Sequence, residues 1–201
     1  STQVVLSGRQ QAASESDLIA QIGTNVNGTD DISWVLRALQ PRLPDGQYAV
    51  RYMPNDPPTQ AQRDQLWADV SNSLNAGYGV VANIVAPPSN YPRGVKGSVS
   101  PNYSGGTVYH YVAIMGIDPD ARALWIADPG FSPFGYWISF DQMATLIPPK
   151  GYAYATATPA EAQPAPQPTG SGDEFKAWVA SATDRKLLEY ITNQLGPGDP
   201  A

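Results

Sequence analysis

His110 is the only histidine in the 201 residues, and it sits in the run Tyr109-His110-Tyr111-Val112-Ala113-Ile114-Met115-Gly116. Asp128 closes the next apolar run and precedes Pro129. A neutral imidazole oriented by a carboxylate makes up two thirds of a nucleophilic triad. The acid fixes the tautomer and stabilises the imidazolium formed when a thiol or hydroxyl loses its proton. The third member is missing, because the chain has no cysteine. Each residue also has a plainer reading: a lone histidine in a β run can simply be packed, and an Asp before Pro commonly caps the amides that follow it, here those of Gly130 or Phe131. If adjacent strands bring the pair together, the expected geometry has Asp128 on Nδ1 and leaves Nε2 free to take a proton.

Strand alternation puts His110, Val112 and Ile114 on one face, and Tyr109 and Tyr111 beside it on the other. A hairpin is predicted over 108–117 and 123–127, turning at Asp118-Pro119-Asp120, with a short strand at Tyr136-Trp137-Ile138. Ser139 is read as the cap of a helix over 140–146, and 151–156 as the last strand. Upstream, residues 1–6 read as the later part of a helix. Ser14 caps a second helix that Gly23 stops, and a third starts at Thr29-Asp30 and is ended by Pro41 and Pro44. Tyr48 to Met53 alternates as a strand; Thr59 precedes a helix bearing Leu66, Trp67, Val70 and Leu74; 79–85 is an apolar strand. With helices first and strands later, the expected class is α+β, with helices packed on a mainly antiparallel sheet. The Pro-, Asn-, Gly- and Ser-rich stretch 87–106 is expected to be a functional loop rimming the site, and the aromatic stretch 131–137 is either core or groove wall. Asp30 and Asp31 are read as cap and first-turn charges, and Asp118 and Asp120 as turn residues.

The organisation expected is one domain over 1–157, a Pro-rich linker over 158–172, and a C-terminal helix over 173–201 that could begin another domain. The content of 42% hydrophobic and 10% aromatic residues is that of a folded protein. A net charge of −6, with basic residues scattered singly, argues against nucleic acid as a partner. No apolar run is long enough to span a membrane. With no cysteine and one histidine, no metal site and no cofactor are expected.

Several separate stretches resemble the N-terminal peptidase domain of mycobacteriophage endolysins (lysin A). These are Gly106-Thr107-Val108-Tyr109-His110-Tyr111-Val112-Ala113, Trp125-Ile126-Ala127-Asp128-Pro129-Gly130-Phe131 and Gly135-Tyr136-Trp137-Ile138-Ser139-Phe140-Asp141-Gln142, with the shorter Asn27-Gly28-Thr29-Asp30 and the loop 90–98. That domain is similar to the bacteriocin-leader-processing branch of papain-like cysteine peptidases, and the likeness covers roughly residues 1–156. It implies a papain-like fold, with the catalytic base at His110 and its orienting acid at Asp128. Substrate contacts are expected at Tyr109, Tyr111, Phe131 and Trp137.

In that family a Cys-Gly-Pro-Ala type motif runs directly into a stretch similar to Ser1-Thr2-Gln3-Val4-Val5-Leu6. The nucleophilic cysteine and an oxyanion-holding glutamine are therefore expected upstream of Ser1. The resemblance further implies peptidoglycan peptide as substrate, synthesis in the host bacterial cytoplasm with action on the cell wall, and downstream cell-wall-binding, amidase or glycosidase domains. The competing expectation is a catalytically silent module that binds cell-wall peptide or serves assembly.

Overall fold

The computed structural model describes residues 1–158 apart from 12 and 27. The expected linker beyond residue 158 and the expected helix over 173–201 lie outside the described residues. Helix α1 (Thr2–Ser7) buries Val5 and Leu6. Helix α2 (Glu15–Ile22) starts at Ser14, whose hydroxyl accepts the Asp17 amide, and stops at Gly23, where a φ of 87° suits a residue without a Cβ.

The third helical segment differs from its expected form. Asp31 caps a 3-10 turn (Ile32–Val35) that leads into α3 (Leu36–Arg42), and Pro41 lies inside α3 instead of ending it. Proline at that position leaves the Arg37 carbonyl without its helical amide. The Gln21 side chain of α2 donates to that carbonyl at 2.7 Å, which satisfies it from outside the helix.

Strand β1 (Tyr48–Tyr52) is followed by α4 (Gln60–Asn75), which opens on a reciprocal Thr59–Gln62 capping box. Then come β2 (Val80–Ala86), β3 (Val108–Asp118), β4 (Ala123–Ala127), β5 (Gly135–Ser139), α5 (Phe140–Leu146) and β6 (Gly151–Ala155). All strand pairs are antiparallel, in the order β1-β6-β2-β3-β4-β5, giving an α+β fold whose sheet carries helices on both faces.

The period-2 alternation of the strands divides the core in two. On one face Leu66 and Val70 of α4 and Phe140, Met143 and Leu146 of α5 pack on Ala82, Ile84, Val112, Ile114, Leu124 and Ile126. On the other, α1 to α3 contribute Val5, Leu6, Leu18, Ile22 and Leu39, and the strands answer with the small residues Val81, Ala113, Ala127 and Ala153. Small side chains at the centre of that face let α1 lie close against the sheet. A Cβ added at Gly79 would meet Met115 Sδ at 2.5 Å and Val5 Cγ2 at 3.1 Å. Close seating delivers the start of α1 to β3, where Ser1 Oγ donates to the Tyr111 carbonyl at 2.6 Å.

A carboxylate of α4 itself is buried against the sheet. Asp69 of α4, 6% exposed, accepts from Arg51 Nε of β1 (2.5 Å), Tyr152 Oη of β6 (2.8 Å) and Gln65 Nε2 (2.8 Å). Burial is tolerable for this carboxylate because three donors replace its water. Removing it strands a buried phenol and a half-exposed guanidinium. Asp69→Ala is therefore expected to lower unfolding free energy by about 2–3 kcal/mol. Urea denaturation at neutral pH measures this, and a change within about 0.5 kcal/mol would contradict the account.

Candidate active site

Strands β3 and β4 pair with Ala113 opposite Ala127, so Asp128, one residue past the end of β4, comes level with Val112, two residues from His110 on the same face of β3. The Asp128 backbone N–H is held by the Phe134 carbonyl at 2.8 Å, closing a turn over 128–134. On the face shared with Val112 and Ile126, His110 Nε2 lies 2.7 Å from Asp128 Oδ1. The structure thus brings together the two residues singled out in the sequence, with the ring nitrogens exchanged relative to expectation: the carboxylate engages Nε2, and the free nitrogen is Nδ1. The reason is register. His110 approaches the end of β4 from two residues beyond Val112, so the far edge of the ring reaches the carboxylate first.

Asp128 is 0% exposed. Its Oδ1 also accepts the Gly130 amide at 3.0 Å, and its Oδ2 accepts Tyr103 Oη at 2.7 Å and, more loosely, Tyr136 Oη at 3.5 Å. The capping and orienting readings of Asp128 both hold at once. Burial, followed by the neighbouring Tyr136 and Asp128, pushes the Tyr103 phenol far up; burial and then Asp128 do the same to Tyr136. Both phenols therefore stay protonated and serve as donors.

The imidazole is clasped on its other sides. Phe131 meets it edge-on at 5.3 Å between centroids, and Tyr103 at 6.2 Å. Gly130 lies so close that a Cβ there would fall 2.8 Å from His110 Cε1 and 3.1 Å from Nε2. Only a residue without a side chain fits against the ring at this point.

The His110 side chain, 19% exposed, lines a cavity of about 470 Å³ together with Ser1, Tyr109, Tyr111, Asn83, Pro129 and Lys150. Thr24, Gly28, Thr29 and Asp30 close its other side. Tyr109 is 70% exposed, with Lys150 Nζ 6.0 Å from its ring centroid. Tyr111 donates to the Thr29 carbonyl at 3.0 Å, which ties the wall strand to the opposite side of the cavity, and burial pushes its phenol up. Asp30, read from sequence as the helix cap, stands instead at this cavity, and the cap is Asp31, read as a first-turn charge, which accepts the Ser33 amide at 2.8 Å.

Three expected wall elements are elsewhere. Phe131 packs behind the imidazole, 4.1 Å from the Tyr103 ring, and does not line the cavity. Trp137 stands on β5 against Trp125 (5.6 Å) and under Lys96 (4.0 Å), because alternation along β5 turns it away from Tyr136 and hence from Asp128. The loop 87–106 contributes no cavity wall; it carries Tyr103 onto the back of Asp128. Sequence reasoning missed Tyr103, Tyr136, Thr24 and Thr29 as parts of the site. The one available signal for Tyr103 was a large aromatic within an otherwise polar loop.

Among the described residues no three His, Asp or Glu side chains gather as metal ligands, and no helix is long and apolar enough to cross a membrane. What the arrangement offers is acid-base chemistry: a ring nitrogen, bare when neutral, on a cavity wall, with the opposite nitrogen hydrogen-bonded to a buried carboxylate.

No curated protein matches the chain. Residues 1–146, which include α1, His110 and Asp128, match the Peptidase_C39 like family. With most of its length inside that match and an α+β fold of the papain-like kind, the chain belongs to the Peptidase_C39 like family and is a cysteine-peptidase-type domain.

Proposed function

We propose that this domain cleaves peptide bonds in bacterial, specifically mycobacterial, peptidoglycan as part of a phage endolysin. It is made in the host cytoplasm and acts on the wall. The chemistry uses a thiolate, His110 and Asp128. The observation that carries the reading is the His110–Asp128 bond of 2.7 Å, with Oδ1 also held by the Gly130 amide, beside a cavity that Ser1 lines from the start of α1. In this reading the nucleophile precedes Ser1 in sequence, next to the wall that Ser1 supplies.

In this scheme Nδ1 takes the thiol proton, and the thiolate adds to the scissile carbonyl carbon. Nδ1 then gives the proton to the leaving amine as the C–N bond breaks, leaving a thioester. Water, deprotonated by the same nitrogen, releases the acid and restores the thiol. Asp128 accepts the Nε2 proton's hydrogen bond throughout and stabilises the imidazolium. The exposed Tyr109 ring and the Asp30 side of the cavity supply contacts for the peptide.

A second reading is favoured by one fact, the absence of cysteine from the 201 residues: a domain that holds cell-wall peptide in the same cavity without turnover.

The two readings separate in one assay. The protein extended at its N-terminus by Cys-Gly-Pro-Ala is expected to release new amino groups from mycobacterial peptidoglycan, and His110→Ala in that protein to lower kcat/KM by about a thousandfold or more. Peptidoglycan binding that survives His110→Ala, with no turnover in either protein, would establish the silent module instead. Gly130→Ala, which drives a methyl into the imidazole, is expected to lower kcat by on the order of a hundredfold while costing about 1–3 kcal/mol of stability. Steady-state kinetics beside thermal unfolding test it, and an unchanged kcat would show that the ring need not stay where it is.

A further inference from the structure

The buried carboxylate receives its donors unevenly. Oδ1 takes His110 and the Gly130 amide, whereas Oδ2 has one close donor, Tyr103 Oη at 2.7 Å, since Tyr136 Oη stands at 3.5 Å, the outer limit for a hydrogen bond. A carboxylate turns about its terminal torsion with little intrinsic preference, so the donors around it decide which oxygen faces the ring and in what plane. Tyr103 is well placed to decide this because it is itself held fast. The Asn102 amide donates to the Ser132 carbonyl at 2.9 Å, and Tyr91 Oη donates to the Gly106 carbonyl at 2.6 Å, which fastens the loop on both sides of residue 103. Its ring lies 4.1 Å from Phe131 and 6.0 Å from Tyr91, centroid to centroid, and the residue is 6% exposed.

We propose that Tyr103 is a positioning residue for the imidazole. By donating to Oδ2 it holds Oδ1 toward His110 Nε2, so the neutral ring carries its proton on Nε2 and presents a bare Nδ1 to the cavity. The loop 87–106 thus serves the site from behind, as the carrier of one hydroxyl. The consequence for chemistry rests on reading His110 as the base; the tautomer itself does not.

Because His110 is the only histidine, 15N-histidine labelling of the 201-residue chain gives one pair of ring-nitrogen signals to read. With the ring neutral, the protein is expected to show Nε2 protonated and Nδ1 bare. Tyr103→Phe, which keeps the ring and removes the donor, is expected to draw the two shifts toward each other as both tautomers become populated. Tyr136→Phe is expected to leave them nearly in place.

An unchanged tautomer in Tyr103→Phe would overturn the proposal. So would a proton on Nδ1 in the unaltered protein, or a larger effect from Tyr136→Phe. Loss of near-ultraviolet circular dichroism in Tyr103→Phe would also overturn it, by assigning the hydroxyl to fold maintenance. In the cysteine-extended protein the same substitution is expected to lower kcat about tenfold with KM unchanged. If that protein hydrolyses nothing even with Tyr103 in place, the peptidase reading falls, while the nitrogen shifts still decide the tether.

Discussion

A carboxylate with no exposure to water must be satisfied from within, and at Asp128 that requirement binds five parts of the chain. The end of β4 supplies the acid, β3 the imidazole, the 128–134 turn an amide, the long loop a phenol and β5 a second, more distant phenol. None of these groups is close to all the others in sequence. Their common partner is what gives the loop its path over the sheet and the turn its shape. A site arranged this way has little freedom to drift, since moving any one donor leaves a buried charge underpartnered.

The other face of the sheet answers a different need, the close seating of α1. Alanines at 113, 127 and 153 and glycine at 79 leave room for Val5 and Leu6, and this brings Ser1 against the Tyr111 carbonyl at the cavity. The site therefore lies where two packings meet. The imidazole and its acid belong to the α4 and α5 face, while Ser1, Tyr111 and Thr29 belong to the α1 to α3 face. Asp69, with its donors from β1 and β6, shows the same logic of buried charge at the opposite end of the sheet, where it links α4 to the sheet edge.

Local signals were legible wherever one short stretch contained the whole cause. Ser14, Thr59 and Ser139 announce helix starts because the cap and the amide it accepts lie three residues apart, and Gly23 announces a stop because its backbone angle demands it. The β3–β4 hairpin and its alternation were equally plain, and from them came the meeting of His110 with Asp128. Where the cause lay elsewhere in the chain, the reading went astray. Pro41 reads as a terminator until Gln21 is seen to satisfy the carbonyl it orphans. Trp137 reads as a groove wall until its strand's register turns it toward Trp125 and Lys96.

By itself, then, the sequence determined the α+β class, the hairpin and the identity of its one histidine and the acid beside it, because periodicity and capping act over a few residues and need no knowledge of distant partners. Tertiary structure alone decided which ring nitrogen meets the carboxylate, which loop backs it and which turn faces it. Those outcomes depend on strand register and on hydrogen bonds between segments far apart in the chain, and a buried charge accepts whichever donors the packing brings within about 3 Å.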